Sequence, residues 1–416
     1  MARTLNNETL LSNTKFVNMA KEIYDGKVEK AVARYLKLTE GLDGKIYLFS
    51  SPGRAELIGN HTDHNHGLVL AGSINLDVAC ALTITNDNCV TVKSEGYDEF
   101  KVNLDCLDID EKEYGTSTAL VKGVAKGFLN AGYKIGGFRA HADSNIFKGA
   151  GVSSSAAFEL LFCEIFNVLF NEGKMDFNQK AIIARYAENV YFGKPSGLMD
   201  QLTISRGDVS YMDFYNENPS ALKADWKFDN LSLVIINCGG DHCNLTDEYA
   251  AIRFEMNSIA EYFGKKVLAE VDKDAFFNSL KTLREKFSGR AILRAMHFFD
   301  ENARVVKAAT ALKNNDEEAF LKLISQSGIS SYTLLQNCYP PSDVEQSVPL
   351  ALGIVSHHPD TLAYRVHGGG FAGTILCFVG TQNADNYVNY VSDIFGKENV
   401  FCVKVRKYGA TFITEI

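Results

Sequence analysis

With 416 residues the chain can bury large cores and is long enough for two or three domains, which excludes a single small module. Hydrophobic residues at 46% and charged residues at 22% exclude a mainly disordered chain. A net charge of −9 without a Lys/Arg-rich run argues against nucleic acid or a membrane surface as the main partner and favours small molecules.

In chain order, β-like runs crowd the first third at Lys45–Phe49, Leu68–Leu82, Cys89–Lys93 and Phe138–Ala142. Helical patterns follow. Phe158, Leu161, Phe162, Ile165, Phe166 and Leu169 recur at helical spacing within Ala156–Phe170, and Ile183, Tyr186, Ala187 and Val190 do so within Phe177–Phe192. A strand is expected at Asp208–Phe214, then a polar seam at Tyr215–Trp226, so the expected division is 1–215 and 216–416. The second half opens with a strand at Leu231–Asn237. Helices are expected near Thr246–Phe263, Ala291–Lys313 and Glu317–Ser325, and strands at Thr374–Val379 and Val400–Arg406 flank a helix at Ala384–Ile394. Strands and helices mix without strict βα alternation, so the expected class is α+β.

Nine cysteines run from Cys80 to Cys402 with no C-x-x-C pair, which points to reduced thiols and a cytoplasmic chain. The first residues lack an apolar signal core. Ala156–Phe170 is shorter than a bilayer span and contains glutamates, so neither secretion nor a membrane anchor is expected. The Asn244 sequon is then accidental.

Four clusters carry chemistry. Lys148–Ala157 packs Gly149, Ala150, Gly151, Val152, Ser153, Ser154 and Ser155 ahead of an apolar helix. Its backbone N–H groups and the helix dipole suit a phosphate, and its hydroxyls suit phosphate oxygens or magnesium. Read alone, it serves equally as a glycine turn whose serine caps a core helix. No Walker A pattern is present. Ser51–Gly67 holds Arg54, Glu56, Asp63 and three histidines in a segment too polar for a buried strand. His61, Asp63, His64 and His66 have the residue types of a zinc site. The same segment also suits polyol recognition, with Asp63 and His61 on hydroxyls and Arg54 facing a phosphate. Gly193–Gln201 places Asp200 after a tight turn, with Glu188 upstream. Two carboxylates with separate duties suit a magnesium-dependent kinase. Arg365–Thr374 is glycine-rich and on its own marks only a turn.

In this order the four clusters resemble the GHMP kinase superfamily and, more closely, the galactokinase family, over nearly the whole chain. Pro52–Asp63 is similar to the family signature, Gly149–Ala156 to the ATP loop, Gly197–Gln201 to the segment bearing the catalytic aspartate, and Gly368–Gly373 to the C-terminal glycine motif. The resemblance implies a two-lobed α+β fold whose first lobe is ribosomal-protein-S5-like. It implies ATP and Mg2+ as co-substrate and cofactor, and phosphoryl transfer to the anomeric hydroxyl of a galactose-type sugar. Asp200 matches the catalytic base and Arg54 its partner. Ser155 and Glu188 match the magnesium ligands, and Gly149 to Ser155, with Ser94, match nucleotide contacts. Asn60, His61, Thr62, Asp63, Gly197 and Tyr249 match the sugar site.

The family pattern reads Arg-x-Asn-Leu-Ile-Gly-Glu-His-Thr-Asp, whereas Glu56 and Asn60 stand exchanged here. Loss of a carboxylate at position 60 opens galacturonate, and arabinose more weakly, as alternative sugars. A non-catalytic sugar sensor and a zinc hydrolase built on the histidines are the readings from other classes. A monomer is compatible with the sequence, which leaves oligomeric state open.

Overall fold

The computed structural model describes residues 6–146, 151–216, 219–239, 245–340 and 343–416. Two sheets organise it, and the first follows from one long strand. β2 (Leu68–Ile84) pairs antiparallel with β1 (Tyr47–Ile58) along its length. Its second half also pairs with β5 (Phe138–Ser144), and its first half with β6 (Val209–Asp213). β3 (Cys89–Ser94) runs parallel to β5, and β4 (Phe100–Asn103) and β7 (Ser220–Ala224) extend the two ends. The second sheet has the order β11-β8-β10-β9, from β8 (Leu231–Asn237), β9 (Thr361–His367), β10 (Thr374–Gly380) and β11 (Val400–Val403). β12 (Thr411–Glu415) then returns to the edge of β1 in the first sheet. The result is the expected α+β class.

Alternation along β1 and β2 decides what covers each face. Leu48, Ala79 and Ala81 face the helices Thr14–Ile23 and Val28–Thr39, packing with Phe16, Val32 and Tyr35. Phe49, Cys80 and Leu82 face the opposite core, to which the helix Ser154–Asn171 contributes Leu161, Phe162 and Phe166. That helix is long and apolar enough to cross a membrane by length and composition, yet its side chains are core: Phe162 and Phe166 pack on Phe138 at 6.0 and 5.7 Å between ring centroids. N-terminal helices, β4, β9 and β12 are elements that the sequence pattern left unassigned.

Two local expectations are corrected. Residues 51–58, judged too polar for a buried strand, are the buried second half of β1. Ala55 and Leu57 enter the core on one side, while Arg54 and Glu56 point to the other and meet partners there. The polar seam at Tyr215–Trp226 contains β7, which pairs with β6 as an edge strand and leaves Leu222 exposed. The β1–β2 connection, residues 59–67, projects from the sheet end toward β9 and β10. There it meets the glycine-rich turn between those two strands.

Candidate active site

Arg54 and Asp200 sit at the centre. Arg54 Nε and Nη2 donate to Asp200 Oδ1 and Oδ2 at 2.7 and 3.1 Å, a two-pronged pair, and Nη1 donates to Gly151 O at 2.5 Å. Ser153 Oγ also donates to Asp200 Oδ2. Burial favours a neutral Asp200, but Arg54, Ser153 and Lys194 outweigh it and hold the carboxyl below the usual range. Asp200 is therefore an anion with weak basicity, in the first turn of the helix Met199–Arg206.

The glycine–serine loop reaches this pair through β1. Arg54 N donates to Val152 O at 3.1 Å, and a Cβ at Gly53 would lie 2.8 Å from that same oxygen, so only glycine permits the approach. Ser153 holds a left-handed conformation (φ 63°) just before the helix Ser154–Asn171. Its hydroxyl serves Asp200, so the helix start has no side-chain cap and its first N–H groups remain open to an anion. Gly149 and Ala150 lie outside the described residues.

Glu188 lies on a π-helical turn, Ala187–Tyr191, and is buried. Its Oε1 accepts from Ser155 Oγ at 2.8 Å and Lys194 Nζ at 2.9 Å, and its Oε2 accepts from Gln201 Nε2 at 2.7 Å. Behind it Glu159 is fully buried with Oε1 unpartnered. Burial, then Glu188, push its carboxyl well upward. Ser155 and Glu188 present hard oxygens of the kind Mg2+ takes while retaining waters and phosphate oxygens as further ligands.

Two cavities meet at the Arg54–Asp200 pair. The smaller, about 310 Å³, is lined by Gly151 to Ser155, Lys194 and the glycine turn 368–370. The larger, about 820 Å³, is lined by His61, Asp63, His64, Gly197, Arg185 and Arg253 among others. Arg54, Asp200, Gly368 and Gly369 line both.

His61 Nε2 donates to Gly369 O at 2.9 Å, leaving Nδ1 to accept from His64 Nε2 at 3.3 Å. With both His61 nitrogens engaged, the histidine run forms a hydrogen-bonded chain. Among the described residues no group of three or more metal-ligating side chains converges. Asp63 is half-buried at the cavity wall. Burial raises its carboxyl, partly offset by His61. Gly197 lies against it, since a Cβ there would be 2.9 Å from Asp63 Oδ2.

Of the remaining expected contacts, Thr62 and Ser94 line neither cavity and Asn60 is committed to protein partners. Asn60 has no accessible surface: Nδ2 donates to Glu56 Oε1 (3.0 Å) and Gly368 O (2.7 Å), and Oδ1 accepts from Ser331 Oγ (3.3 Å) and Asn337 Nδ2 (2.8 Å). The residue lines the larger cavity, but its amide is saturated by protein. Thr62 is likewise buried, its hydroxyl closing the turn onto Gly59 O and Leu68 O. Ser94 ends β3 and lines neither cavity. Tyr249 lines the smaller cavity, its hydroxyl donating to Gly370 O at 2.8 Å. Glu56 is tied by Arg365 Nη2 at 3.0 Å as well as by Asn60.

The sequence reading missed Lys194, which lies inside a quoted cluster, and gave the buried His367 only as a loosely suggested remote ligand for the zinc alternative. His367 Nε2 accepts from Glu56 N, so Nδ1 donates to Thr374 Oγ1. Burial, then Arg54 and Arg365, keep the ring neutral. A histidine preceding three glycines is the signal that marks it.

The model described as galactokinase galactose-binding signature matches residues 39–84, and that of the GHMP kinases N terminal domain matches residues 119–208. The galactokinase of Clostridium perfringens strain SM101 is 32% identical over 374 residues, covering 86% of this chain and 92% of that protein. The chain belongs to the galactokinase family. The galactokinase of Clostridium tetani is 30% identical, over 85% of this chain and 89% of its own. In fold, Lactococcus lactis galactokinase complexed with galactose superposes with a TM-score of 0.76 at 21% identity, covering 97% of this chain and 100% of that one. Methanococcus jannaschii mevalonate kinase follows at 0.61 and 15%, covering 86% and 98%. The family signature contains Arg54 to Asp63, and the N-terminal domain match contains Gly151 to Ser155, Glu188 and Asp200.

Proposed function

We propose that this member of the galactokinase family transfers the γ-phosphoryl group of ATP to the anomeric hydroxyl of galactose, giving galactose 1-phosphate and ADP. The observation that carries the reading is the Arg54–Asp200 pair between a phosphate-type cavity and a polar, histidine-rich one. The smaller cavity takes the ATP phosphates on the N–H groups at the start of Ser154–Asn171. The larger takes the sugar, with Asp63 and the Gly197 wall against its hydroxyls and the His61–His64 chain lining the cavity. Asp200 orients the attacking hydroxyl. Its depressed basicity suits late acceptance of the proton in a loose transition state. Arg54 offsets charge that develops on the transferring group. Mg2+ held by Ser155 and Glu188 would supply further neutralisation of the phosphates.

On this reading residues 1–215 supply the Arg54–Asp200 pair and 216–416 the glycine turn beside it, with β7 and β12 of the second half completing the first sheet, in a cytosolic enzyme. Arg54, Ser155, Glu188 and Asp200 are all present, which disfavours a non-catalytic sensor. One observation favours an additional sugar. Arg185 and Arg253 line the larger cavity with no carboxylate partner among the described residues, a wall that suits the carboxylate of galacturonate. The test is ADP release from ATP with galactose, galacturonate and arabinose, with the product identified by phosphorus NMR. The expected result is galactose-dependent release of ADP and a 1-phosphate product. No release with any of the three overturns the reading.

A further inference from the structure

Lys194 has no part in the assignments above, yet its position is specific. Gly193 (φ 77°) turns the chain out of the π-helical segment and Pro195 follows, so the side chain leaves a stiff corner and reaches back over Glu188. Its Nζ bonds the same oxygen, Glu188 Oε1, that accepts from Ser155 Oγ. The glutamate side chain is 3% exposed and the lysine 58%, so one end of the pair is fixed and the other is free to move. An ion pair this open contributes little to stability. Lys194 nevertheless lines the smaller cavity with Ser153, Ser154, Ser155 and Asp200.

We propose that Lys194 is an exchangeable counter-charge: it neutralises Glu188 when no divalent cation is bound, and turns onto nucleotide phosphate oxygens when a cation takes the Ser155 and Glu188 oxygens. A divalent cation and an ammonium cannot share Glu188 Oε1 without strong repulsion. Asp200, the carboxylate that lines that cavity, is already held in two contacts by Arg54. The phosphates are the remaining anions in reach of a flexible four-carbon stem. The proposal rests on the kinase reading.

The test uses the full chain without sugar and compares wild type with Lys194→Met and Lys194→Arg, folding being checked by thermal melts. Electron paramagnetic resonance measures Mn2+ binding to nucleotide-free protein, and calorimetry measures binding of the β,γ-imido analogue of ATP with saturating Mg2+. Lys194→Met is expected to bind Mn2+ about threefold or more tighter, because a competing charge is gone. The same variant is expected to bind the Mg2+–nucleotide roughly tenfold weaker, because a charge-assisted bond is gone. Lys194→Arg should retain nucleotide affinity. Movement of both affinities in one direction, an unchanged value in either, or Mn2+ binding undetectable in both proteins overturns the proposal. Wild type that fails to bind the Mg2+–nucleotide overturns the kinase reading itself, whereas wild-type binding with an unchanged variant removes only the role of Lys194.

Discussion

Two aspartates paired with arginine occupy the first sheet and its surroundings, and they differ in what is left open around them. Asp77 is fully buried. Arg34 Nη1 donates to its Oδ1 at 2.6 Å, Tyr24 Oη and Ser50 Oγ donate to its Oδ2, and Arg406 Nη1 lies 3.6 Å from that atom. These partners come from the N-terminal helices, β1 and the C-terminal segment, so the cluster ties three distant stretches together. Asp200 has an equally close arginine, but its side chain is 28% exposed and lines both cavities. The same chemistry is structural where protein encloses it and available for reaction where two cavities reach it.

The largest expected effect separates the two. Asp200→Asn should lower kcat by roughly three orders of magnitude, in the range of lost general-base and orienting groups, while stability falls by at most about 2 kcal/mol. Arg54 keeps Gly151 O as an acceptor in that variant. Full turnover by Asp200→Asn would break the comparison.

Asp77→Asn should do the reverse. Removing one charge from a buried cluster leaves Arg406 with no carboxylate and Arg34 with only Asp143, at about 3 kcal/mol. Urea unfolding at pH 7.5 measures this, and kcat of the folded fraction should stay within about threefold of wild type. Loss of turnover in fully folded Asp77→Asn would mean that the enclosed cluster also positions the site.

How much of this is legible before the fold is known depends on where the partners lie. Ser154–Asn171 is readable because its phenylalanines and leucines repeat at helical spacing, a purely local property. The buried half of β1 is misread because Arg54 and Glu56 are satisfied by Asp200 and Arg365, 146 and 309 positions away. Asn60 is read as facing a ligand, and only the fold brings Ser331, Asn337 and Gly368 against its amide. Asp200 and the glycine turn are legible because four clusters occur together in a fixed order, where either one alone would mark only a turn. Lys194 is not, because a lysine beside a glycine and a proline has no local signature of the carboxylate it meets.

A third buried group tests the middle ground. His297 is fully buried between the C-terminal helices and the β1–β2 turn. Its Nε2 donates to Asn60 O at 2.9 Å, and its Nδ1 pairs with Ser330 Oγ at 2.9 Å. Burial pulls its pKa down from 6.5 to about 4, partly offset by Glu301. Between those values the unfolded chain binds a proton that the folded chain refuses, so stability falls as pH falls from 6.5 to about 4. The loss is on the order of 3 kcal/mol. Against the desolvating effect of burial, His297, then Arg304 and Arg365, hold Glu301 at about 2 instead of 4.5. It therefore adds a further loss in the same direction only below pH 4.5. Urea midpoints measured from pH 7.5 to 4.5 should decline in wild type and decline less steeply in His297→Gln, where the buried His64 and His367 still contribute. An unchanged slope in the variant would remove His297 from this role.

The smallest effect bears on what the open region contacts. Tyr249 stacks edge-on against Phe371 at 5.3 Å between ring centroids, and its hydroxyl holds Gly370 O, on the turn that separates the two cavities. A tyrosine that holds the turn and one that binds the sugar predict different kinetics. If the hydroxyl only fastens the turn, Tyr249→Phe costs about 1 kcal/mol of stability, the ring contact remains, and both substrates' KM values shift by less than about threefold. If the hydroxyl reads the sugar, the sugar KM rises about tenfold or more while the ATP KM stays fixed, because only one substrate loses a partner. The hydroxyl has one proton to donate, and Gly370 O already takes it, so the first outcome is expected. Measuring both KM values in Tyr249→Phe decides whether this residue belongs with the enclosed, structural groups or with the ones exposed to substrate.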